Sequence, residues 1–314
     1  MEQIINLIKN AKSAIILPHI SADGDAIGSC QAMKCMLNNL GIDAVIYAEE
    51  KIEDRLSFIS GGVRIYNGQT VAFDTCIVLD CGDADRLGKR KSILDSGKRV
   101  INIDHHRTNI GFGDATLVRP DASATGEVLF ELFKAMDIEF TRDIAGYLYT
   151  AICSDTGGFA YSNVSSDTFK IAAELVSYNI NHWDIARMLF DCVDIETELL
   201  KAELTKNINS YYGGKVRTVA ISREFAEQFD LKPNAVDGLV DLPRRIRGTE
   251  IAAALKELDD KIRISLRSNG HADVSKIALQ FGGGGHIKAA GCSIEGVKLA
   301  DAEKMLIEAC EGNI

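Results

Sequence analysis

The sequence has few of the features that mark fibrous, disulfide-stabilised or membrane-spanning proteins. Its 314 residues include only 4 prolines and 1 tryptophan, and none of the 8 cysteines forms a C-x-x-C pair. No apolar run reaches the roughly 20 residues that a membrane-spanning helix needs. The N-terminal residues Met1–Ile5 carry an acid where a secretory signal would carry basic residues. We therefore expect a cytoplasmic protein with reduced thiols and no membrane segment.

Positive charge is also scarce. The chain has 35 basic and 45 acidic residues, which gives a net charge of −10. This charge disfavours binding of long duplex nucleic acid, because Lys and Arg contacts to phosphate supply most of the affinity for it. We therefore expect no long duplex partner, and any phosphate ligand should be small or bound by metal and a few local arginines. The 46% apolar and 25% charged residues are typical of a globular protein.

Short apolar runs alternate with helical patterns in the first half of the chain. The predicted strands are Ala14–Leu17, Ala44–Tyr47, Cys76–Leu79 and Val100–Ile103. Apolar residues at helical spacing occur near residues 4–11, 27–40, 128–136 and 144–152. Strands without a polar face that alternate with helices are typical of a doubly wound, mostly parallel sheet. The fold class is therefore α/β.

A second, smaller α/β domain is predicted at the C-terminal end. Residues 195–211 contain few helix breakers and predict a connecting helix, which Gly213-Gly214 ends. A strand-like run then begins at Val216, and Lys261–Arg267 predicts another strand. We predict a catalytic domain over residues 1–190, a helical linker over 191–212 and a second domain over 213–314.

Acidic residues and histidines follow the predicted strands directly. The polar residues in question are His19, Asp23 and Asp25 after the first strand, Asp80 after Cys76–Leu79, Asp104, His105 and His106 after Val100–Ile103, and Asp155 after a helix. In an open α/β sheet, ligands bind beyond the carboxyl ends of the strands. A single such cluster would more often be a turn, because Asp and Gly favour turns. Several clusters at one sheet edge favour a common site instead.

The charge of that site predicts bound cations. Asp23, Asp25, Asp80 and Asp155 would repel one another strongly if they met without cations. Two divalent ions would balance the four carboxylates, and His19 and His105 would add neutral nitrogen ligands. Mixed oxygen and imidazole ligation suits Mn²⁺ better than Ca²⁺ and is compatible with Zn²⁺. We therefore expect two divalent ions, with Mn²⁺ as the favoured metal.

The second domain contains a glycine-rich segment, Gly282–Gly285, followed by His286. Glycines allow close approach of a ligand to the backbone and can turn several N–H groups toward an anion. Arg267 lies on a predicted strand near a serine, a combination that suits a phosphate. The alternative for this segment is a flexible loop without a ligand.

Four motifs together resemble one known family. They are His19-x₃-Asp23-Gly24-Asp25, Asp80-x₂-Asp83, Asp104-His105-His106 and Asp155-Thr156-Gly157-Gly158-Phe159. In this order they resemble the motifs of the DHH phosphoesterase superfamily, and residues 282–291 resemble the signature of its DHHA1 domain. The resemblance covers nearly the whole chain and is strongest to the stand-alone nano-RNase and pAp phosphatase group. One departure is Ala22, where many relatives carry proline.

The resemblance implies a role for each matching residue. It implies one ion on His19, Asp23, Asp80 and Asp155, and a second ion on Asp25, Asp80, His105 and Asp155. It implies that His106 contacts the scissile phosphate and protonates the leaving oxygen, while Asp104 orients its neighbours. For the other phosphate and the nucleoside of the substrate, it implies contacts from Arg267, His286 and the N–H groups of Gly283, Gly284 and Gly285.

The resemblance also implies the reaction. We expect a Mn²⁺-dependent phosphoesterase that cleaves short 5′-phosphorylated oligoribonucleotides to mononucleotides and 3′-phosphoadenosine 5′-phosphate (pAp) to AMP by two-metal in-line attack. The expected partners are short single-stranded RNA, pAp or dinucleotides, and a homodimer is compatible with such a fold. The alternatives are a linear or cyclic dinucleotide phosphodiesterase (pApA or c-di-AMP), a RecJ-type exonuclease, a manganese pyrophosphatase and a non-catalytic nucleotide-binding sensor. The lack of a basic stripe disfavours the RecJ type, and the six ligand positions disfavour the sensor.

Overall fold

A parallel sheet organises the first of the two units into which the chain divides. The structure, a computed structural model, describes residues 1–69, 71–96, 98–231 and 236–314. The first unit is Met1–Cys192 and the second is Val193–Ile314.

The sheet of the first unit has six strands in the order β3-β2-β1-β4-β5-β6. The strands are β1 Ser13–Leu17, β2 Asp43–Ala48, β3 Val63–Ile65, β4 Thr75–Leu79, β5 Arg99–Asp104 and β6 Ala115–Val118. Every neighbouring pair is parallel. The predicted mostly parallel α/β sheet is therefore confirmed, and each of the four predicted strands is present. The two strands that the pattern did not predict, β3 and β6, are short and lie at the edges.

Helices and a kinked 3₁₀-helical segment, Ala84–Ser96, cover the two faces of this sheet. The helices are α1 Glu2–Lys9, α2 Gly24–Asn39, α3 Thr125–Ala135, α4 Arg142–Asp155, α5 Ser166–Val176 and α6 His182–Phe190. Buried residues of α1 to α5 form one core with Ile16, Ile77 and Ile101. On the other face, Leu87 and Ile93 of the 84–96 segment pack against Val78. Burial on both faces explains why the strands are nearly continuous apolar runs.

The second unit is built on a mixed sheet with the strand order β11-β12-β10-β9-β8-β7. Its strands are β7 Ile208–Tyr211, β8 Val216–Ile221, β9 Ile251–Glu257, β10 Lys261–Ser268, β11 Gly284–His286 and β12 Ala289–Glu295. Its helices are α7 Ile195–Lys206, α8 Arg223–Gln228, α9 Val236–Leu239, α10 Asp241–Arg244, α11 Val274–Gln280 and α12 Leu299–Cys310. The β8–β9 pair is parallel and the other neighbouring pairs are antiparallel. Within the described ranges of both units, no helix is long and apolar enough to cross a membrane.

The stretch predicted as a single connecting helix is a helix followed by a strand. Helix α7 ends at Lys206, and β7 pairs with β8 in antiparallel register. Asn209 and Ser210 are poor helix formers, and the edge of β8 offers their backbone a hydrogen-bonded alternative. Leu200 and Leu204 of α7 are buried in the core of the second unit. The helix therefore packs within that unit, while the boundaries at residues 190 and 212 stay predictions.

Candidate active site

The polar residues predicted from the strand ends meet where the strand order reverses. Strands β1 and β4 are neighbours in the sheet although they are far apart in sequence. His19 follows β1 and Asp80 follows β4, so the two side chains lie on either side of this reversal. The carboxyl ends at such a point form the crevice in which open α/β sheets bind ligands.

Three overlapping groups of potential ligand atoms lie at this edge. In each group, the ligand atoms lie within 4.8 Å of one another. The groups are His19, Asp23 and Asp80; Asp25, His105 and Asp155; and Asp80, His105 and His106. The structure therefore brings together all six residues predicted as metal ligands. Asp155 lies with Asp25 and His105, whereas His19 and Asp23 form the opposite side of the cluster.

Asp80 occupies the centre of the cluster. Its Oδ2 lies 3.5 Å from His19 Nε2, and its Oδ1 lies 3.6 Å from His105 Nε2. The residue has a φ of 56°, a left-handed conformation that aspartate tolerates better than most residues. Its N–H still donates to the carbonyl of Ile103, at 3.0 Å, so the chain turns immediately after the last ladder bond of β4. This turn lets one carboxylate face both imidazoles.

Asp25 is held by the N-terminal end of α3. The N–H groups of Thr125 and Gly126 donate to its two carboxylate oxygens at 2.7 and 3.0 Å. Ser29 Oγ donates to the same group at 3.1 Å. Thr125 Oγ1 also donates to Asp80 Oδ1, at 2.9 Å. The free N–H groups of a helix N-terminus stabilise negative charge, so α3 orients two carboxylates of the cluster.

No sequence motif predicts a role for Thr125. The signal that could have found it is its place just before the helical pattern at residues 128–136, where the unpaired N–H groups of a helix N-terminus are expected. That signal does not reveal which distant carboxylate those groups contact.

The Nδ1 atoms of His19 and His105 each contact a backbone carbonyl. His19 Nδ1 donates to the carbonyl of Ile20 at 2.5 Å, and His105 Nδ1 donates to the carbonyl of Ala122 at 3.3 Å. For His105 this bond assigns the tautomer in which Nε2 carries the lone pair, whereas His19 Nδ1 also lies 3.1 Å from Arg86 Nη2, which can only donate. The two Nε2 atoms face the carboxylates, which is the orientation that a metal-ligating histidine needs.

Electrostatics in the cluster are unfavourable without cations. Burial and the neighbouring charges of Asp80 and Asp155 raise the pKa of Asp25 well above its ordinary value. Burial likewise raises the pKa of Asp155 to about 6, against the opposing effect of His105. Burial alone would raise the pKa of Asp80 too, but the neighbouring imidazoles of His19 and His105 lower it. The carboxylates therefore repel one another at neutral pH.

The donor set fits divalent metal ions. The imidazole-to-carboxylate separations of 3.5 to 3.9 Å are too long for hydrogen bonds. Two ligands of one ion lie roughly 3–3.5 Å apart, because each bond to the ion is about 2.1 Å long. Carboxylates with imidazoles are ligands of first-row divalent ions. The cluster is therefore a candidate metal centre.

We expect cation binding to weaken as the pH falls below about 6. In the metal-free protein the pKa of Asp155 is about 6 and that of Asp25 is raised. Below these values the carboxyls are protonated, so a cation must displace protons, and its apparent affinity falls with falling pH. Calorimetric titration with Mn²⁺ at about pH 5 and about pH 8, in buffers of different ionisation enthalpy, would measure the protons released. An affinity that is equal at the two pH values would contradict the expectation.

His106 differs from the other two imidazoles in its hydrogen bond. Its Nδ1 donates to Asp104 Oδ1 at 2.7 Å, and Asp104 is fully buried. Asn109 Nδ2 donates to the other oxygen of Asp104, also at 2.7 Å. The hydrogen bond to Asp104 raises the pKa of His106 to about 9, although burial acts in the opposite direction. In the metal-free protein His106 is therefore an imidazolium at neutral pH, with a proton on Nε2.

The second unit contains a cavity of about 690 Å³ over the face of β10, β11 and β12. Arg263, Ser265 and Arg267 line it from alternate positions of β10, so they share one face of the strand. Arg267 Nη1 donates to the carbonyl of Leu266 at 3.0 Å. Gly283, Gly284 and Gly285 also line the cavity, whereas the exposed His286 does not. The cavity therefore contains two cationic side chains and the glycine segment.

The glycine segment is a helix cap and a strand, and this corrects the predicted ligand contact of one of its three N–H groups, that of Gly283. The N–H groups of Gly282 and Gly283 donate to Leu279 and Ala278, at the end of α11. Residues Gly284–His286 pair with β12. A Cβ at Gly283 would lie 2.2 Å from the carbonyl oxygen of Gly291, so glycine is needed there for packing. The N–H of Gly283 is therefore used within the protein and does not face an anion.

Comparison with known families agrees with the two units. The model of the DHH family, N-terminal domain, matches residues 13–152, and the model of the DHHA1 domain matches residues 214–312. The first match includes β1 to β6 and five of the six predicted ligands. The second includes the cavity of the second unit.

Individual relatives extend the similarity over the whole chain. The chain is 28% identical to the bifunctional oligoribonuclease and PAP phosphatase NrnA of Thermus thermophilus, over 98% of this chain and 93% of that protein. It is 32% identical to the cyclic-di-AMP phosphodiesterase PdeA of Listeria monocytogenes, over 70% of this chain but only 33% of that protein. A crystal structure of an exopolyphosphatase-related protein from Bacteroides fragilis is similar with a TM-score of 0.90 and 27% identity, over 99% of this chain and 95% of that chain.

Proposed function

The chain belongs to the DHH family of metal-dependent hydrolases, with a DHHA1 domain, and from this premise we propose that it hydrolyses phosphoesters of short nucleotides. The proposed substrates are short 5′-phosphorylated oligoribonucleotides, cleaved to mononucleotides, and pAp, cleaved to AMP. The observation that carries the proposal is Asp80, which faces His19 with one oxygen and His105 with the other. A carboxylate between two such groups suits the bridging position of a two-metal site.

The proposed metal ligands are the six residues of the cluster. His19 and Asp23 are proposed for one ion, and Asp25 and His105 for the other, with Asp80 and Asp155 shared. Mn²⁺ is the proposed ion, because mixed carboxylate and imidazole ligation suits it. When bound, two divalent ions neutralise phosphate oxygens and lower the pKa of water. The chain itself supplies the carboxylates, and α3 holds two of them, Asp25 and Asp80, in place.

His106 is the proposed general acid. Asp104 accepts the Nδ1 proton at 2.7 Å, which fixes the ring and keeps it charged. The Nε2 proton is then the one that His106 donates to the leaving oxygen. Asn109 in turn donates to Asp104, so hydrogen bonds link His106, Asp104 and Asn109. Asp104 is therefore proposed as the residue that positions and charges the acid.

Arg267 is the proposed contact to the terminal phosphate of the substrate. It lines the cavity of the second unit together with Arg263, and a guanidinium binds phosphate with paired, charge-assisted hydrogen bonds. Gly284 and Gly285 would add backbone contacts, and His286 is proposed at the rim. The net charge of −10 supports small substrates, since a long polyanion would be repelled outside these local cationic groups. The activities in the name of the Thermus thermophilus relative agree with this substrate class.

Product analysis tests the proposed function. Purified protein with Mn²⁺ would be given pAp and 5′-phosphorylated RNAs of increasing length, and the products would be separated by chromatography. We expect AMP from pAp, 5′-mononucleotides from the shortest RNAs, and rates that fall with RNA length. Absence of turnover on all of these substrates, in protein that binds metal, would refute the proposal and favour a nucleotide-binding sensor.

One observation favours a second candidate function, hydrolysis of linear or cyclic dinucleotides. It is the similarity to the cyclic-di-AMP phosphodiesterase PdeA over 70% of this chain. Parallel reactions with pApA and c-di-AMP distinguish the two candidates. Turnover of c-di-AMP that exceeds that of pAp and short RNA would establish the second candidate in place of the first.

Replacement of Arg267 by alanine is expected to weaken substrate binding selectively. A hydrogen bond to a charged group is worth about 1.5–3 kcal/mol, so KM for 5′-phosphorylated RNA should rise roughly 10- to 100-fold with little change in kcat. RNA with a 5′-hydroxyl group should be cleaved equally by the variant and the parent protein. Arg223→Ala, at an exposed arginine outside this cavity, is the control. Equal KM values for the Arg267 variant and the parent would contradict the assignment.

A further inference from the structure

Arg90 is an arginine buried completely in the first unit. It belongs to the 84–96 segment, and none of its surface is exposed. Taking a guanidinium out of water is costly, and an apolar residue of similar length would fill the same space without that cost. We therefore expect polar contacts of Arg90 that offset the cost of its burial.

Those contacts are mainly carbonyl oxygens at the ends of strands. Arg90 Nη1 donates to the carbonyls of Pro18 and Tyr47, both at 2.9 Å. Its Nε donates to the carbonyl of Leu87 at 3.1 Å. Pro18 directly follows β1, and Tyr47 lies near the end of β2. A single side chain thus ties the carboxyl ends of two neighbouring strands to the 84–96 segment.

His19 lies between two hydrogen bonds that come from this segment. On one side, Arg90 binds the carbonyl of Pro18, the residue before His19. On the other side, the N–H of Ile20 donates to the carbonyl of Arg86 at 2.7 Å. The peptide groups before and after His19 are therefore both fixed. The His19 imidazole is in turn fixed by its bond to Ile20, with Nε2 facing Asp80.

Glu49 accompanies Arg90 and holds the same segment. Its Oε2 lies 3.4 Å from Arg90 Nε, and its Oε1 accepts a hydrogen bond from the N–H of Lys89 at 3.3 Å. Gly88 has a φ of +58°, and a Cβ there would lie 2.9 Å from the Glu49 carboxyl carbon. Glycine is therefore required for the close approach of the segment to Glu49.

The other side of the metal cluster is supported by different groups. His105 is held by the carbonyl of Ala122, and Asp25 by the N–H groups of Thr125 and Gly126. Hydrogen bonds from Arg90 reach Pro18, Tyr47 and Leu87, none of which belongs to that side. Loss of Arg90 should consequently disturb one side of the cluster only.

We propose that Arg90 is a positioning residue for one of the two metal positions, the one that His19 and Asp23 form. By binding the carbonyl of Pro18, it holds the His19 backbone where Nε2 can face Asp80, and so raises the affinity of that position alone. This inference rests on the proposed two-metal function. Loss of a residue that orients a metal ligand typically weakens metal affinity about 10- to 100-fold.

Mn²⁺ titration of the metal-free protein, by calorimetry and electron paramagnetic resonance, tests the proposal. The main variant is Arg90→Met combined with Glu49→Gln, which leaves no unpaired buried charge, and Arg90→Lys is the second variant. His19→Ala and His105→Ala provide the reference for loss of either position. Arg64→Met, at an exposed arginine of β3, is the matched control. Circular dichroism establishes that each variant is folded.

The parent protein should bind two ions with the spectrum of a coupled pair. The double variant should keep one tight ion and bind the second about 10- to 100-fold more weakly, and at one equivalent it should give the isolated-ion signal of His19→Ala. The affinity of Arg90→Lys for the second ion should lie between those of the parent and the double variant, since an ammonium group can replace only part of the contacts of a guanidinium. Activity of the double variant should recover at high Mn²⁺ concentration.

Two results would overturn the inference. One is a folded double variant that binds both ions as tightly as the parent. The other is an equal loss of affinity at both positions, which would show a general role of Arg90 in folding. A parent protein that binds fewer than two ions would instead refute the proposed function, so the two failures are distinguishable.

Discussion

Replacement of Asp80 by asparagine is expected to abolish turnover of every substrate. Asp80 is the carboxylate that faces both imidazoles, so its loss removes a ligand from both proposed metal positions. Metal ions supply several kcal/mol of transition-state stabilisation. The expected decrease in kcat/KM is therefore at least about 10³-fold. The amide has the shape of the carboxylate, and we expect the metal-free variant to remain folded.

The measurement is kcat/KM on pAp, together with Mn²⁺ stoichiometry by calorimetry. Asp85→Asn is the matched control, because Asp85 is an exposed aspartate of the neighbouring segment that pairs with Lys91 at the surface. An exposed ion pair contributes little to stability, so this control should behave like the parent protein. Asp80→Asn protein that binds two ions and retains more than about a tenth of the activity would exclude a bridging role.

Replacement of His106 by glutamine is expected to have the second largest effect, and one that depends on the leaving group. Loss of a general acid typically lowers the rate by about 10²- to 10⁴-fold. That loss should appear with RNA and pAp, whose leaving groups need a proton. The p-nitrophenolate released from a p-nitrophenyl phosphodiester departs as a stable anion without a proton, so the rate with that substrate should change less than about tenfold.

The test compares kcat for the two classes of substrate in the same preparation. His182→Gln is the control, since His182 is an exposed histidine of the same unit. Metal stoichiometry should equal that of the parent, because glutamine at position 106 leaves the six proposed ligands in place. An equal decrease with both leaving groups would show that His106 acts in binding or structure and not as the acid.

The parallel sheet and the meeting of the polar residues were predictable from sequence. Strands buried on both faces must be apolar throughout. Runs such as Ile15–Leu17 and Ile77–Leu79 therefore indicate strands that are covered on both faces. Parallel strands also place their carboxyl ends at one edge. A parallel sheet therefore places the residues that directly follow its strands, including His19 and Asp80, near one another.

Other features depended on partners that the local pattern does not reveal. Strand β9 begins with the sequence Ile251-Ala252-Ala253-Ala254. Alanine has a high intrinsic preference for the α-helix. The segment forms a strand because β8 and β10 bind both of its edges and its side chains are buried. Likewise Gly283, expected to face a ligand, is glycine because β12 lies directly against it.

The class of the fold, the chemical types at the site and the edge of the sheet where they meet could all be inferred from the amino-acid sequence. These follow from the period of apolar residues and from strand direction, which are local properties of the chain. The groups that orient the site, in contrast, are identified by contacts in the folded protein. Thr125 reaches Asp25 across 100 positions of sequence, and Arg90 reaches Pro18 across 72. Such contacts form only when separate elements pack, because a hydrogen bond depends on the distance and angle between its two groups. They produce no periodic pattern in the sequence.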